Sequence, residues 1–251
     1  MFDKLPSLDL IRSEILNKGY YVYNNFASED DCTLLRKVIT EKMNKSPQHN
    51  VRINSNRMPD YTHKRSHDDK YRTIRYYSFY HNVSKWTNIE KKILKNGIEI
   101  RNRIESPWLN KDKKYRGILS SISDYNIFTK YNISTGMLPQ HRDWPEKLKF
   151  PLLQFNLILS KQQIDFVKGE FIFEDYNKKK IKIHKDLKMK IGDALLFDKY
   201  LLHSVDITTK GITNVGRWSV LIGARAHEVS YYEQKKILFI EKIKNFMNYI
   251  K

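Results

Sequence analysis

The pattern of hydrophobic and polar positions along this chain changes near residue 117. Before that point, apolar residues recur at helical spacing in residues 8–16, and again in residues 34–39. The second run follows Ser28, whose spacing to Asp31 is that of a capping box. The stretch between the two runs, "GYYVYNNF", is rich in strand formers. The chain is therefore predicted to begin with a helix, a strand and a second helix.

The next part of the chain has a weaker pattern. Residues 44–82 are polar and rich in Asn, His and Arg, and they predict no clear element. A third helix is expected over about 86–104, ending before Pro107, because proline disfavours the interior of a helix. The stretch "YTHKRSHDDKYR" has no apolar stripe, so we expect a solvated loop there. Its two histidines, His63 and His67, are therefore not taken as metal ligands.

From about residue 117 the pattern shortens to β-rich runs separated by polar turns. The runs are "GILSSISDYNIFTKYN", "FPLLQFNLILS", "GEFIFED", "KIKIHKD", "DALLFD" and "RWSVLIGA". Many short strands at this spacing predict an antiparallel sandwich or barrel. The lysine-rich run at residues 178–185 is expected at a solvated edge of a sheet, and His184 within it is expected to be structural or exposed.

The end of the chain returns to helical spacing. Residues 229–250 predict an amphipathic helix with a capping box at Ser230 and Glu233. Its expected buried stripe consists of Ile237, Ile240, Ile243 and Phe246. The whole chain, residues 1–251, is therefore expected to be a single domain, mainly β with flanking helices. Its parts would be a mostly helical segment at 1–116, a β core at 117–225 and this last helix.

Composition narrows the choice of environment and partner. The 251 residues include 46 Lys and Arg against 28 Asp and Glu, a net charge of +18. This charge favours an anionic partner, or it is compositional drift on a solvated surface, and the sequence leaves both readings open. The single cysteine, Cys32, excludes an internal disulfide and favours a reducing compartment, so a cytoplasmic location is expected. No secretory signal and no membrane-spanning run is expected.

Candidate chemistry begins in the stretch "LPQHRDWP". His141 and Asp143 lie two residues apart, which places them on one face of a strand. Such a pair on its own arises often in surface turns. A second histidine, His203, follows 62 residues later, after a strand-like apolar run. Two histidines and one carboxylate form the facial triad of non-haem Fe(II) oxygenases, which leaves the opposite face of the metal open.

Two further strands carry polar groups that suit a buried anion. Arg217 and Ser219 in "GRWSVLIGA" share one face of a strand, and a guanidinium with a hydroxyl can hold a carboxylate. A buried arginine is costly unless it is paired, so a bound anion would explain it. Gln154 and Asn156 alternate with apolar residues in "PLLQFNLILS". These positions predict a polar cavity inside the β core.

With these residues the chain resembles the Fe(II)/2-oxoglutarate-dependent dioxygenase superfamily. The family motif is His-x-Asp, a distal His and then an Arg, and it is met by His141, Asp143, His203 and Arg217. The layout "EILNKGYYVYNNFASEDDCTLLRKVI" is similar to the phytanoyl-CoA dioxygenase and prolyl hydroxylase branches. The resemblance covers roughly residues 8–225. It implies a double-stranded β-helix, the jelly roll also called cupin-like.

The resemblance also implies cofactors and roles. Fe(II) would be held by the triad, with 2-oxoglutarate and O₂ as co-substrates and succinate and CO₂ as products. Arg217 would bind the distal carboxylate of 2-oxoglutarate, with Ser219 completing the family's Arg-x-Ser variant. Tyr131 and Asn156 match positions near the co-substrate. Halogenating relatives lack the carboxylate of Asp143, so hydroxylation of an unactivated C–H bond is favoured. Desaturation, ring closure and oxidative demethylation use the same triad.

The substrate is less constrained. Residues 57–81, rich in Arg, Lys and Tyr, are the expected lid, and they suit a polar or anionic small molecule. A mobile basic loop fits this segment equally well. The alternative function is a protein that binds or modifies nucleic acid through its basic surface. That reading explains the charge but not the spacing of the four motif residues, and no standard nucleic-acid motif is present. The oligomeric state stays open.

Overall fold

The computed structural model describes residues 7–49, 60–67, 71–120, 122–144 and 147–227, with residues 239 and 243. Its helices are α1 (Leu8–Lys18), α2 (Glu29–Lys45), a 3₁₀ turn (Tyr80–Lys85), α3 (Asn88–Glu90), a π-helical turn (Lys91–Lys95), α4 (Asn96–Lys111) and α5 (Lys113–Ser120). Its strands are β1 (Tyr20–Tyr23), β2 (Gln48–His49), β3 (Tyr61–His67), β4 (Tyr71–Phe79), β5 (Ile122–Tyr131), β6 (Leu138–His141), β7 (Leu153–Ile158), β8 (Phe171–Glu174), β9 (Lys180–Lys182), β10 (Ala194–Asp198), β11 (His203–Val205) and β12 (Arg217–His227).

The strands form two sheets. The larger has eight strands in the order β1-β10-β7-β12-β5-β4-β3-β2, and the smaller has the order β6-β11-β8-β9. Neighbouring strands are antiparallel except for the short β2, which runs parallel to β3. A cluster of buried side chains from both sheets lies between them, including Tyr131, Phe173, Phe197 and Val205. Two sheets packed face to face, with helices on the outside, confirm the predicted mainly β jelly roll.

The first three elements form as their sequence predicts. The side chain of Ser28 accepts a hydrogen bond from the backbone N–H of Asp31 and caps α2. Gly19 ends α1 in the left-handed conformation, at φ 86°, which glycine adopts without steric cost. The buried faces of α1 and α2 pack into a second core cluster on the outer side of the large sheet. The helices therefore support the sheet from behind.

Helix α4 ends later than predicted, at Lys111, so Pro107 lies inside it rather than beyond its end. A proline at this position removes the N–H that would bond to the carbonyl of Arg103, four residues earlier. The guanidinium of Arg12 in α1 supplies the missing donor: its Nη2 lies 2.7 Å from the Arg103 oxygen. Its Nε donates to the carbonyl of Ile104 at 3.0 Å. A neighbouring helix thus replaces the lost donor, and the helix continues.

The boundary of the predicted β core near residue 117 is also wrong. Residues 113–120 form helix α5, and the first strand of the core begins at Ile122. The side chain of Asp112 accepts hydrogen bonds from the backbone N–H groups of Lys114 and Tyr115. These bonds cap the first turn of α5, a signal that the sequence analysis overlooked.

The solvated loop expected around His63 and His67 is a β hairpin instead. Strand β3 pairs with β4 over the whole length of β3, and the two strands extend the large sheet beyond β5. The side chain of His63 is buried. It is not part of the cluster that could hold a metal ion among the described residues. The segment lacks an apolar alternation because the inner face of β4 carries polar groups, as described below.

Two other predictions concern surfaces. Strand β9, inside the lysine-rich run, is the edge strand of the small sheet, with its two lysines exposed as predicted. His184 is buried, with its Nδ1 2.8 Å from the carbonyl oxygen of Met189, which agrees with a structural role.

The predicted C-terminal helix lies mostly outside the described residues. Residues 239 and 243 are helical. Ile243, expected in the buried stripe, is 46% exposed. In the part of the chain that the structure describes, no helix has the length and apolar character that crossing a membrane requires.

Candidate metal centre

Three predicted ligands come together where two strands of the small sheet meet. His141 is the last residue of β6 and His203 the first of β11, and the two are cross-strand partners in the antiparallel ladder. Asp143 lies in the turn that follows β6. The imidazole rings of the two histidines have their centroids 4.3 Å apart. Strand register therefore brings together residues that are distant along the chain.

The carboxylate of Asp143 lies between the two imidazoles. One of its oxygens is 3.5 Å from Nε2 of His141, and the other is 3.5 Å from Nε2 of His203. One ligand atom from each of the three side chains lies within 4.8 Å of the other two. Among the described residues, this is the cluster of His, Cys, Asp and Glu that could hold a metal ion.

The backbone fixes which nitrogen of each ring can bind a metal. Nδ1 of His141 lies 2.8 Å from the carbonyl oxygen of Pro139, and Nδ1 of His203 lies 2.9 Å from that of Leu201. A carbonyl oxygen only accepts, so each Nδ1 carries the proton. The lone pair of a neutral ring then resides on Nε2, the atom that faces Asp143. This arrangement of outer hydrogen bonds is the usual one for metal-binding histidines.

The surroundings of the three ligands differ. His203 is buried, with its ring against those of Phe171 and Phe197 at centroid distances of 5.5 and 5.4 Å. Burial lowers the pKa of His203, which keeps its imidazole neutral. The side chains of His141 and Asp143 are 34% and 25% exposed. The site is therefore closed on the side of His203 and open on the side of the other two ligands.

The environment of Asp143 keeps its carboxylate ionised. Burial alone would raise the pKa of Asp143, but its contacts with His141, His203 and Lys199 lower it by more, so the net shift is well downward. The side-chain amide of Gln154 in β7 donates to Oδ2 of Asp143 at 2.6 Å. The carboxylate is thus both oriented and negatively charged.

The turn that carries Asp143 is fastened to the turn after β10. The backbone N–H groups of Asp143 and Trp144 both donate to the carbonyl oxygen of Lys199, each at 3.1 Å. Nη1 of Arg142 donates to the carbonyl of Tyr200 at 2.8 Å, and its guanidinium lies 4.5 Å from the centroid of that ring. These contacts hold the Asp143 turn against the turn that leads to His203.

A cavity of about 450 Å³ opens beside the three ligands. All seven site residues predicted from the sequence line it: Tyr131, His141, Asp143, Asn156, His203, Arg217 and Ser219. Gln154 lines it as well, as its alternation with apolar neighbours had indicated. The structure therefore gathers the whole predicted set around one space.

Arg217 lies at the buried end of this cavity. It is 3% exposed, and its guanidinium lies 4.8 Å from the centroid of the Tyr131 ring on the neighbouring strand β5. Burial lowers the pKa of Arg217, while Tyr131 and Glu170 oppose that shift. Its Nη1 has no hydrogen-bond partner within the described ranges. A buried cationic donor without a partner is the observation expected of an anion site.

The residues fit a metal ion and a carboxylate ligand together. Two neutral imidazoles and one carboxylate are the ligand set of non-haem iron sites. Beside them, Oε1 of Gln154 and Oδ1 of Asn156 are buried and, as far as the described residues extend, also lack hydrogen-bond partners. Unsatisfied polar atoms cluster where the sequence analysis expected 2-oxoglutarate. The structure therefore supplies both halves of such a site.

Two cavity residues were missed by the sequence analysis. Arg75 in β4 lines the cavity, and Lys199 does so from the turn after β10, where its Nζ lies 5.6 Å from the Trp144 ring centroid. Arg75 stands in the run "TIRYYSF", whose alternation places Thr73, Arg75 and Tyr77 on one face. That alternation was the available signal, but residues 44–82 were assigned no clear element and residues 57–81 were expected to form a lid. Lys199 gives no comparable signal.

The sequence matches no protein-family model and none of the curated proteins. Many solved structures do match the fold, including the following three. A prolyl-4-hydroxylase from Pseudomonas putida is 11% identical with a TM-score of 0.59, over 87% of this chain and 100% of the other. The carbocyclase SnoK from nogalamycin biosynthesis, a non-haem alpha-ketoglutarate-dependent enzyme, is 10% identical with a TM-score of 0.54, over 90% and 87%.

The third is a prolyl hydroxylase from Trichoplax adhaerens, in complex with a peptide fragment of the oxygen degradation domain of hypoxia inducible factor. It is 13% identical with a TM-score of 0.51, over 86% of this chain and 88% of the other. At these identities the likeness concerns the fold. The predicted resemblance is confirmed at that level: the chain has the double-stranded β-helix fold of the 2-oxoglutarate- and Fe(II)-dependent oxygenases.

Proposed function

We propose that this protein is an Fe(II)- and 2-oxoglutarate-dependent dioxygenase that hydroxylates a small molecule and releases succinate and CO₂. The observation that carries the proposal is the joint placement of two groups in one cavity. One is the cluster of His141, Asp143 and His203, and the other is the buried guanidinium of Arg217. The fold shared with oxygenase structures supports the same activity.

Each residue has a role in this proposal. Nε2 of His141, Nε2 of His203 and the carboxylate of Asp143 hold Fe(II), which supplies the activation of O₂ when it is bound. Arg217 binds the distal carboxylate of 2-oxoglutarate, and the hydroxyl of Ser219 assists. Tyr131 packs against the guanidinium and orients it. The amide of Asn156 lines the same space and offers polar contacts to the co-substrate.

The reaction and the location follow from the same residues. Asp143 occupies the position that a halide would need, so the proposed reaction is hydroxylation rather than halogenation. The proposed substrate is polar or anionic, since cations and amides line the cavity. We place the protein in the cytoplasm, where a free thiol such as that of Cys32 stays reduced.

The direct test is succinate release by the purified protein with Fe(II) and 2-oxoglutarate under air. Replacing His203 with Ala should abolish both Fe(II) binding and succinate release, because one of three ligands is lost. A matched control is His81→Ala, which removes an exposed histidine that does not line the cavity. That control should bind iron and release succinate like the native protein.

Two outcomes contradict the proposal. Unchanged iron stoichiometry in the His203→Ala protein would show that the metal binds elsewhere. Absence of 2-oxoglutarate turnover and binding in the iron-loaded native protein would exclude the activity itself.

A further inference from the structure

The cavity wall carries one cation that the proposed reaction does not use. Among the described residues lining the cavity, Arg75, Lys199 and Arg217 are cationic and Asp143 is the acid. Arg217 is assigned to the co-substrate, and the charge of Lys199 acts on Asp143. The two positive charges of Fe(II) balance the two negative charges of 2-oxoglutarate. Arg75 is thus the cavity-lining cation to which binding of iron and 2-oxoglutarate assigns no role.

The register of the large sheet places Arg75 relative to Arg217. Arg75 pairs with Thr129 of β5, and Thr129 pairs with Ser219 of β12. Cross-strand partners project on the same face, so these three side chains form one row across the inner face of the sheet. Two strand spacings, about 10 Å, separate Arg75 from Ser219. The short side chain of Thr129 between them keeps the cavity open along this row.

Arg75 is less buried than Arg217, which indicates that the two arginines bind different molecules. Arg217 is almost wholly enclosed, whereas Arg75 is only half-buried, so it lies towards the open side of the cavity. It nevertheless lines the same cavity as the three ligands. Arg75 is therefore near enough to the metal site to bind a molecule that reacts there.

The wall next to Arg75 is aromatic. Tyr77 follows it on the same face of β4, and the Tyr77 ring stacks on Tyr61 at a centroid distance of 4.7 Å and lies 6.1 Å from that of Tyr125. Tyr125 and Ile127 line the cavity as well. A molecule bound here would contact Tyr125 and Ile127 and, at its end, the guanidinium of Arg75. This combination suits an organic acid better than a free inorganic ion.

On the basis of the proposed function, we infer that Arg75 determines substrate specificity by binding an anionic group of the primary substrate. The group is a carboxylate, phosphate or sulfate, because a guanidinium fork pairs with each of these. The remainder of the substrate lies between Arg75 and the ligand cluster, over Thr129. The substrate's reactive carbon is then held beside the three ligands, which line the same cavity.

Anion binding tests this inference without knowledge of the substrate. The native protein is loaded with Fe(II) and saturating 2-oxoglutarate under anaerobic conditions, which fills the site at Arg217 and prevents turnover. Sodium sulfate is then titrated calorimetrically against a sodium chloride control of equal ionic strength. Binding of 2-oxoglutarate, measured first, reports whether the proposed function holds.

Two variants make the test specific. Arg75→Gln should weaken sulfate binding by at least about tenfold, since it removes a charge-assisted contact, and should leave 2-oxoglutarate affinity unchanged. Lys130→Gln removes the same charge from the neighbouring strand, at a residue that packs on Trp218 outside the cavity. It should bind sulfate like the native protein. Thermal unfolding of both variants reports on folding.

Several results would overturn the inference. The first is a native complex with Fe(II) and 2-oxoglutarate that binds no sulfate. The second is equal sulfate affinity in the native and Arg75→Gln proteins. The third is a loss of sulfate affinity in the Lys130→Gln control as large as that in Arg75→Gln. A variant that loses 2-oxoglutarate affinity instead would assign Arg75 to the co-substrate. In a screen for stimulated succinate release, stimulation of the native protein by neutral compounds alone would also contradict the inference.

Discussion

At the scale of single residues, the order of the site depends on side chains behind the ligands. Gln154 is not one of the three ligands, yet its amide donates to Asp143 at 2.6 Å. Replacing it with Leu should leave the carboxylate without this partner. We expect metal affinity to fall about 10- to 100-fold, as is typical when a ligand loses its outer hydrogen bond. Titration with Co(II), which is stable in air, measures the affinity.

A neighbouring residue provides the contrast. Asn156→Leu changes the same face of the same strand two residues along, but Asn156 has no contact with Asp143 among the hydrogen bonds described. This variant should bind Co(II) with an affinity within about twofold of the native value. Its affinity for 2-oxoglutarate should fall instead. An equal loss of metal affinity in both variants would mean that the loss comes from a change in the cavity wall and not from the missing hydrogen bond to Asp143.

The guanidinium of Arg217 gives a second prediction at this scale. Arg217→Lys preserves the charge but removes the planar fork that can bind a carboxylate at two points. The KM for 2-oxoglutarate should rise by about tenfold or more, with a smaller rise for Ser219→Ala, because a hydroxyl contributes a single neutral hydrogen bond. Succinate release as a function of 2-oxoglutarate concentration measures the KM. An unchanged KM in Arg217→Lys would contradict the assignment of Arg217 to the distal carboxylate of 2-oxoglutarate.

The thiol of Cys32 allows a prediction from its pKa. Burial raises the pKa of Cys32 to about 12, so the thiolate that reacts with alkylating agents is scarce at ordinary pH. Iodoacetamide at pH 8 should leave the native protein unmodified and alkylate it fully in denaturant. Mass spectrometry checks both states, and rapid native alkylation would show that α2 opens readily.

At the scale of elements, the contact between α1 and α4 explains how a helix passes through Pro107. Arg12→Ala would leave the carbonyls of Arg103 and Ile104 without their donor, and should lower the free energy of unfolding by about 1–2 kcal/mol. In a Pro107→Ala background the restored N–H can bond to the carbonyl of Arg103. Arg12→Ala should therefore lower the free energy of unfolding by less in that background. Urea unfolding of the four proteins measures this coupling.

Lys18→Ala on the same helix is the control, since it removes only an exposed ion pair with Glu14 and should cost less than about 0.5 kcal/mol. If Arg12→Ala cost the same in both backgrounds, its effect would be unrelated to Pro107.

The same scale shows what the sequence could and could not predict. The strands of the core and the first two helices follow from their patterns, because their apolar positions face a conventional core. Strands β3 and β4 were missed because a face that lines a polar cavity carries residues such as Arg75 instead of apolar ones. The ligands were found because their chemistry restricts residue type and spacing. Lys199 was missed because its position depends on how two turns meet.

At the scale of the whole molecule, a bound metal should raise stability. The cluster joins β6, β11 and an intervening turn, none of which holds the ion in the unfolded chain. A metal at 100 times its dissociation constant adds about 2.7 kcal/mol to the free energy of unfolding. Thermal unfolding with and without Co(II) should therefore show a clear increase in Tm for the native protein. His203→Ala should show none, and an equal increase in that variant would indicate metal binding elsewhere.

The net charge of +18 concerns the molecule as a whole as well. Such a charge binds nucleic acid non-specifically at low salt, and that binding weakens steeply as salt rises. If the charge is unrelated to catalysis, DNA or RNA added at about 150 mM salt should not change succinate release. Stimulation by either would favour the alternative of a nucleic-acid-modifying enzyme.

The pairing of His141 with His203 across β6 and β11 links assembly to reactivity. A slip of one residue between these strands would turn one histidine to the opposite face and disperse the ligands. A chain with this slip would therefore lack the cluster that is proposed to hold iron. Correct pairing of β6 with β11 is thus a condition for metal binding: only a chain in which these two strands of the small sheet are in register brings the three ligands together.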